Sequence, residues 1–205
     1  MKGDQQNIFP QSDWFLSRKD KEILLHQRSK AIWLTGLSGS GKSTIANHLE
    51  KKLYQEGFVT KIFDGDTVRS TLTKDLDFTY EGRMQNIKRI AQINKEFLEC
   101  GIIIINSFIS PAKAMRMMAS EIIGKDDFLE VYVKCPLHLC EKRDTKKLYS
   151  QARKGKIKNF TGINSFYEAP ENPEIVIDNE KGTIDEAVAI IYNYILPKIR
   201  LNEPV

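Results

Sequence analysis

The chain has 205 residues, of which 41% are hydrophobic and 28% are charged, and this size fits one globular domain with a single core. Its formal net charge of +4 is small for a nucleic-acid-binding protein, and no apolar run approaches the roughly 20 residues that cross a bilayer. The three cysteines form no disulfide framework, and the first residues lack the order of a secretory signal. We therefore expect a cytoplasmic protein that binds neither nucleic acid nor membranes.

Strand-sized apolar runs alternate with amphipathic helical stretches along the chain. Residues 1–29 are polar and predict an N-terminal arm with a short helix at Ser17–Gln27, and residues 30–200 predict the domain. The predicted strands are Ala31–Thr35, Val59–Phe63, Ile102–Asn106, Phe128–Val133 and Glu174–Ile177, and the clearest predicted helices are Lys42–Gln55 and Met84–Cys100. We expect an α/β fold in which an open, mostly parallel five-stranded sheet carries helices on both faces.

The last third of the chain contains one segment without periodicity and one clear helix. Residues 146–172 combine glycines, prolines and charges with several aromatic residues, which predicts a functional lid. The lid overlaps a basic stretch, residues 142–158, which is either a solvated surface or a surface for polyanionic ligands. Thr183 and Glu186 predict a capping box, and Pro197 is expected to end the helix that follows.

A glycine-rich segment joins the first predicted strand to the first long helix. It reads Gly36-Leu37-Ser38-Gly39-Ser40-Gly41-Lys42-Ser43, with Thr44 next, and its spacing is that of the phosphate-binding P-loop. Glycines let the backbone amides turn toward the β-phosphate of a nucleotide, and the positive end of the helix adds to the attraction. Lys42 would reach the β- and γ-phosphates, and the Ser43 hydroxyl would ligate Mg²⁺. The motif therefore predicts ATP binding.

Two further polar segments follow predicted strands and face the same edge of the sheet. Asp64 and Asp66 end the second strand, where a carboxylate can accept the proton of an attacking hydroxyl or hold a metal-bound water. Ser110 follows the third strand and precedes Pro111, which suits the first turn of a helix and so predicts Ser110 at or near the N-cap. A capping role and a substrate-site role both stay open, and a lone serine supports no nucleophile.

These segments, in this order, resemble the adenylylsulfate kinase (APS kinase) family, which converts adenosine 5′-phosphosulfate (APS) to 3′-phosphoadenosine 5′-phosphosulfate. The resemblance covers about residues 28–198 and is carried by Trp33–Thr44, Asp64–Asp66, Val68-Arg69, Phe78, Arg83, Asn86, Ser107–Pro111, Cys140–Asp144, Leu148-Tyr149, Phe160–Ile163 and Tyr167–Pro173. Many kinases share the P-loop, but the serine-proline turn and the Phe-Thr-Gly-Ile segment are more specific. The resemblance implies a P-loop kinase fold with a mobile lid.

The resemblance also implies roles for single residues. ATP is expected on Gly36 through Thr44 with Arg143 beside its adenine, and the expected catalytic residues are Lys42, Asp66, Ser110 and Lys146. APS is expected on Asp64, Arg69, Phe78, Arg83, Asn86, Ile109, Ser110 and Phe160, with arginines on its anionic oxygens and the two phenylalanines stacked on its adenine. Ser110 matches a serine proposed as a phosphoserine intermediate. Direct transfer needs no such intermediate, so we expect a substrate-site residue first and a covalent carrier second.

The sequence departs from the family pattern mainly in the lid. Thr145 and Lys147 stand where the family usually has proline and glycine, and Phe166 replaces a proline. These changes remove no proposed chemical group, but they are expected to alter the geometry of the lid.

Two other functions stay open at this point: a P-loop kinase for another small hydroxyl substrate, and a non-catalytic nucleotide-binding regulator. The resemblance favours adenylylsulfate kinase activity over both of these functions, and it further implies Mg²⁺, a homodimer, and an ATP sulfurylase as a neighbour in sulfate assimilation.

Overall fold

The structure, a computed structural model, describes residues 14–144 and 146–201. Its five strands are β1 (Ala31–Thr35), β2 (Thr60–Asp64), β3 (Ile103–Ser107), β4 (Phe128–Lys134) and β5 (Ile175–Asp178). They form one sheet in the order β2-β3-β1-β4-β5, and every neighbouring pair is parallel. The predicted five-stranded α/β sheet is confirmed, and each strand begins and ends within one residue of its predicted bounds.

Helices connect the strands and cover both faces of the sheet. They are α1 (Arg18–Leu24), α2 (Lys42–Gln55), α3 (Gly65–Ser70), α4 (Tyr80–Glu99), α5 (Lys113–Ile123), α6 (Leu137–Arg143), α7 (Leu148–Arg153) and α8 (Ile184–Ile199). The bounds of α2 match the prediction. Helix α4 begins four residues earlier than predicted because the Thr79 hydroxyl accepts a hydrogen bond from the Gly82 amide and caps it. Within the described ranges, none of the helices has the length and apolar character of a membrane span.

The central strand β1 explains how the two layers of helices are held. All five of its residues are buried, and successive side chains point to opposite faces of the sheet. Ile32 joins an apolar cluster with α2 and α8, whereas Trp33 joins a second cluster with α4 and α5. Strands buried on both faces need no polar alternation, which is why the apolar runs of the sequence predicted them.

The prediction that Pro197 ends the last helix is wrong. Helix α8 continues through Pro197 to Ile199, and the amide of Arg200 still bonds to the carbonyl of Leu196. A proline in the last turn removes one intrahelical hydrogen bond and leaves the earlier turns intact. At the other end of α8 the predicted capping box is confirmed, since Thr183 and Glu186 exchange hydrogen bonds of 2.8 and 3.2 Å.

Arg18 and Gln27 of the predicted N-terminal arm pack on the domain, whereas residues 14–16 are largely exposed. Residues 1–13 of that arm lie outside the described residues. Arg18 donates a hydrogen bond over 3.0 Å to Asp127, the residue immediately before β4. Gln27 is fully buried, and its side-chain amide donates a hydrogen bond over 2.7 Å to the carbonyl of Gly101, two residues before β3. Because these contacts are buried or partly buried, this part of the arm packs against the domain.

Candidate active site

The phosphate-binding loop connects β1 to α2 at the carboxyl edge of the sheet. Gly41 adopts φ +102°, and a β-carbon there would lie 2.3 Å from Nδ2 of Asn179, so both the backbone and the space require glycine. The same Asn179 amide donates to the carbonyl of Ser40 over 2.6 Å and fixes the loop from the β5 side. The loop is therefore held in its turned form by a residue 139 positions away.

Lys42, the first residue of α2, folds back over the loop. Its ammonium group donates to the carbonyls of Gly36 and Leu37 over 2.9 and 2.8 Å. Burial lowers the pKa of Lys42 from 10.5 to about 8, with nearby Asp64 and Asp66 opposing the change weakly. A polyphosphate placed on the loop would supply the negative charge that this buried ammonium group needs.

The next residue, Ser43, meets the ends of two other strands. Its hydroxyl donates to Oδ2 of Asp64 over 2.7 Å and lies 3.1 Å from the hydroxyl of Ser107, the last residue of β3. Asp64 also caps α3 by accepting a hydrogen bond from the Asp66 amide. A hydroxyl and a carboxylate beside a phosphate loop are the hard oxygen donors that Mg²⁺ prefers, so this set fits the predicted metal.

Asp66 lies at the start of α3 and forms an ion pair with Lys146 of the lid. Both side chains are largely exposed, at 72% and 63%. The hydrogen bond to Asp66 raises the pKa of Lys146, so this lysine is charged throughout the neutral range. One carboxylate and one ammonium group thus face the same cavity from the sheet and from the lid.

Two arginines flank the ring of Phe78 in the segment between α3 and α4. The guanidinium carbons of Arg69 and Arg83 lie 4.2 and 5.5 Å from the ring centre, and 54% of the Phe78 side chain is exposed. Arg83 also donates to the carbonyl of Asn159 in the lid over 2.6 Å. Burial lowers the pKa of both arginines, which stay charged because their pKa values begin so high. The cluster presents two cations and an aromatic face to the cavity.

The lid (residues 146–172) has a small apolar core of its own. Phe160 is buried and meets the ring of Tyr149 edge-on, with 4.9 Å between the ring centres. The Tyr149 hydroxyl donates to the carbonyl of Ser38 over 2.8 Å and so joins α7 to the phosphate loop. Lys147 adopts φ +56° just before α7, a conformation that the glycine usual in the family takes without strain. Thr145, the other departure at this point, lies outside the described residues.

The turn after β3 differs from its prediction. Helix α5 begins at Lys113, and its N-cap residue Ala112 provides no side-chain cap. Ser110 lies two residues before this N-cap, so the capping role that the sequence left open for it is wrong. The Lys113 amide instead donates to the carboxylate of Glu168, at the far end of the lid, over 2.6 Å. Ser110 is buried, adopts φ +37°, and accepts a hydrogen bond from Trp33 over 3.1 Å.

Two other predicted substrate residues, Ile109 of this turn and Asn86 of α4, are held by hydrogen bonds that are partly or fully buried. The carbonyl of Ile109 accepts a hydrogen bond from the Thr35 hydroxyl over 2.7 Å. Asn86 is buried in α4 and accepts from the Thr73 hydroxyl over 2.6 Å. Ile109 and Asn86 both line one cavity.

One cavity of about 1000 Å³ brings the predicted site together. The predicted residues that line it are Ser38, Gly39, Gly41, Lys42, Ser43, Thr44, Asp64, Asp66, Arg69, Phe78, Arg83, Asn86, Ile109, Ser110, Arg143, Lys146 and Phe160. Gly36, Leu37 and Ser40 form the back of the loop and do not line it. The volume is at the upper end of the usual range for one ligand, as a site for two substrates requires.

The sequence matches the profile of the adenylylsulphate kinase family over residues 28–178. The chain belongs to this family. It is 53% identical over 194 residues to the adenylyl-sulfate kinase of Phocaeicola vulgatus, covering 95% of each chain. It is 51% identical over 196 residues to that of Bacteroides thetaiotaomicron, covering 96% of this chain and 98% of the relative.

A solved structure of an APS kinase is also similar to this chain. The APS kinase of Mycobacterium tuberculosis, solved in complex with AMPPNP and APS, superposes with a TM-score of 0.79 at 38% identity. The match covers 82% of this chain and 98% of the solved one. The fold, the P-loop kinase architecture and the family therefore agree with what the sequence motifs indicated.

Sequence reasoning missed the side of the APS kinase cavity that follows β5. Asn179, Gly182, Thr183 and Ile184 line it there, and the Asn179 carbonyl accepts a hydrogen bond from Arg143 over 2.9 Å. The sequence contains a signal for this side, because Asn179 follows the end of β5 just as Asp66 follows β2 and Ser110 follows β3. For Thr183 the sequence predicted only a helix cap.

Proposed function

We propose that the chain transfers the γ-phosphoryl group of ATP to the 3′-hydroxyl of APS, giving 3′-phosphoadenosine 5′-phosphosulfate and ADP. One observation carries the proposal: a single cavity joins a complete phosphate loop to an arginine-flanked aromatic ring through Asp64 and Asp66. The two halves suit the two substrates, since one receives a polyphosphate and the other an anionic group with a planar base. Membership of the adenylylsulphate kinase family supports the same pairing.

The ATP half would use the loop amides, Lys42 and Ser43. Mg²⁺ bound at this site would supply positive charge that offsets the negative charge of the phosphates. Ser43 would hold that ion and Asp64 would orient its water ligands, because the two side chains already contact each other over 2.7 Å. Lys42 would exchange the carbonyls of Gly36 and Leu37 for the β- and γ-phosphates, and Arg143 would lie against the adenine.

The acceptor half would hold APS so that its 3′-hydroxyl points at the γ-phosphorus. Phe78 and Phe160 would stack on the adenine, and Arg69 and Arg83 would bind the phosphosulfate oxygens through forked hydrogen bonds. The hydroxyl oxygen forms the new bond to phosphorus as the bond to the β,γ-bridging oxygen breaks and ADP leaves. Asp66 accepts the hydroxyl proton, and Lys146 moves from Asp66 to the transferring group.

A substrate panel tests this function directly. ADP release would be measured with APS, adenosine, shikimate and no acceptor, using the wild-type chain and Lys42→Ala. APS-dependent release that Lys42→Ala abolishes supports the proposal. Faster release with another acceptor would assign a different small-molecule kinase. No acceptor-dependent release, together with salt-sensitive oligonucleotide binding, would indicate a nucleotide-binding regulator that uses residues 142–158.

We also propose a cytoplasmic homodimer that acts beside an ATP sulfurylase. Three unpaired thiols, Cys100, Cys135 and Cys140, suit a reducing compartment. The dimer follows from the family resemblance, and molar mass by light scattering would test it: a value near 47 kDa supports a dimer of this 23.6 kDa chain. A coupled assay that starts from sulfate and ATP sulfurylase would test the pathway neighbour.

A further inference from the structure

The indole of Trp33 makes one polar contact that the proposed mechanism does not yet use. Trp33 is fully buried in β1, two residues before that strand ends at Thr35 and the phosphate loop begins. An indole nitrogen is a donor only, and a buried one needs an acceptor. Here Nε1 donates to the Oγ of Ser110 over 3.1 Å, across a sequence separation of 77 residues. The strand of the ATP half is thereby joined to a side chain of the acceptor half.

The backbone of Ser110 is fixed independently of that contact. Its carbonyl accepts a hydrogen bond from the buried Arg116 over 2.9 Å, and Arg116 in turn pairs with Glu130 over 2.7 Å. These bonds hold Ser110 at φ +37°, where a residue with a side chain is uncommon. With the backbone held, only the rotation of the side chain remains to be set, and Trp33 sets it.

The hydrogen-bond inventory of a serine hydroxyl then decides where its proton points. The hydroxyl has one donor and two acceptor positions, and the Trp33 indole occupies one acceptor position. Among the residues that the structure describes, the Ser110 hydroxyl hydrogen has no acceptor. Ser110 nevertheless lines the cavity that also contains Asp64, Arg69 and Phe160. An oxygen of a bound acceptor substrate is the partner that would complete its hydrogen bonding.

We propose that Trp33 is a positioning residue: its indole N–H orients the Ser110 hydroxyl so that Ser110 donates a hydrogen bond to an oxygen of the acceptor substrate. This inference rests on the proposed function, because it concerns the acceptor half of the same site. Ser110 then serves as a donor to substrate, and its oxygen is turned toward the indole rather than toward a phosphoryl group.

A double-mutant cycle separates this role from simple packing. Trp33 also packs against Phe108 and Phe128, with 5.5 Å between ring centres in each pair. Trp33→Phe keeps an aromatic ring in the core and removes the N–H, and Ser110→Ala removes the acceptor. Phe128→Leu is the matched control, because it loosens packing on the same indole and keeps the N–H. All variants and the double variant would be assayed for kcat and KM with APS and with ATP.

The expected result is a loss confined to the acceptor substrate. Trp33→Phe should lower kcat/KM for APS by roughly threefold to tenfold, the size of one neutral hydrogen bond, and change the KM for ATP less than twofold. In the Ser110→Ala background the same substitution should change kcat/KM for APS less than twofold. Phe128→Leu should lower Tm and leave kcat/KM for APS within twofold of wild type. Additive losses in the cycle, or an equal loss in Phe128→Leu, would overturn the inference.

A spectroscopic measurement keeps the inference testable if Trp33→Phe does not fold. The chain has two tryptophans, Trp14 and Trp33, and Trp14 is 81% exposed, so ¹⁵N-labelled protein gives one indole signal for each. Ser110→Ala should shift the Trp33 indole signal and speed its hydrogen exchange, whereas Trp14 serves as the unaffected control. Saturating APS should move the Trp33 signal in the wild type only. A Trp33 signal that ignores Ser110→Ala would contradict the contact.

The failure of this inference and the failure of the proposed function look different. Without APS-dependent ADP release by the wild-type chain, the proposed function fails and the cycle has no activity to measure. With normal wild-type turnover and an additive cycle, the function stands and the role of Trp33 is wrong.

Discussion

The hydroxyl of Ser43 donates a hydrogen bond to Oδ2 of Asp64 over 2.7 Å, and this contact joins the start of α2 to the end of β2. The two residues lie 21 positions apart in the sequence, and both lie at the edge of the sheet where β1 and β2 end. The contact brings a proposed Mg²⁺ ligand next to a carboxylate that can orient metal-bound water. The proposed nucleotide half and the proposed acceptor half of the cavity meet at this point.

Asp64→Asn should weaken the use of Mg²⁺ without unfolding the chain. Asparagine can still cap α3, so stability should change little. Its neutral amide orients metal-bound water less strongly, and we expect the Mg²⁺ concentration for half-maximal rate to rise by roughly tenfold to a hundredfold. A magnesium titration of the initial rate at fixed total ATP measures this value.

Ser107→Ala is the matched control for Asp64→Asn, since Ser107 also contacts Ser43, over 3.1 Å, but carries no charge. We expect it to change the magnesium midpoint less than threefold. Equal midpoints in Asp64→Asn and the wild-type chain would remove Asp64 from the metal site.

Lys42 should give the free enzyme a distinct pH dependence of stability. Its pKa is about 8 when folded and near 10.5 when unfolded, so between these values the unfolded chain binds more protons. The free energy of unfolding therefore rises with pH across this window, and below pH 8 the slope disappears. Across this window, the free energy of unfolding of the wild-type chain should rise by about 3 kcal/mol more than that of Lys42→Met, because one pKa unit is worth about 1.4 kcal/mol.

Urea unfolding without nucleotide at pH 7.5 and pH 10 measures this gain. Lys51→Met, a change of an exposed lysine in the same helix, is the control and should follow the wild-type curve. Parallel curves for the wild type and Lys42→Met would show that Lys42 keeps its proton in the fold. Lys42→Met should also lack turnover, since it removes the charge that faces the phosphates.

The two phenylalanines of the acceptor half should affect APS much more than ATP. Phe78→Ala is expected to raise the KM for APS about fivefold to a hundredfold, as loss of a stacked base requires, and to change the KM for ATP less than twofold. Because Phe78 is 54% exposed, the Tm of Phe78→Ala should barely differ from that of the wild-type chain. Phe160→Ala should show the same selectivity with a lower Tm, because Phe160 packs on Tyr149.

Initial rates against each substrate, with Tm by calorimetry, check both phenylalanine variants. Tyr54→Ala removes an exposed aromatic ring outside the cavity and should leave every value unchanged. Matching losses for APS and ATP in Phe78→Ala would rule out stacking on the acceptor adenine.

The ion pair of Asp66 with Lys146 should matter for turnover and little for stability. Exposed pairs contribute about 0 to 1 kcal/mol, so Asp66→Asn should leave Tm nearly unchanged. Loss of the proton acceptor should lower kcat by roughly a hundredfold to ten-thousandfold. Single-turnover rates measure the chemical step free of product release. Rates near wild type would transfer the proton-accepting role to Asp64.

Local sequence patterns predicted the parts of the molecule whose causes are local. The phosphate loop, α2 and the capping box at Thr183 depend on residues within a few positions of one another, and each was predicted with its bounds. The strands were equally clear, because β1 and β3 are buried on both faces and contain uninterrupted apolar runs. The parallel direction of the strands was predicted from their alternation with helices.

Long-range partners explain what the sequence did not predict. The sequence left open a capping role for Ser110, but the α5 amide of Lys113 instead donates to Glu168, 55 positions further along the chain. The Trp33 contact to Ser110 spans 77 positions, and the Asn179 contact to Ser40 spans 139. No local pattern marks such pairs, because each depends on how the folded sheet aligns its edges.

Transfer of a labelled phosphoryl group tests the central claim most directly. The wild-type chain would be incubated with [γ-³²P]ATP, Mg²⁺ and APS, and the products would be separated and treated with a 3′-specific nucleotidase. We predict that the label moves to a product of APS from which this nucleotidase releases it. Label that appears only as inorganic phosphate, or on a position that the nucleotidase does not cleave, would contradict the account.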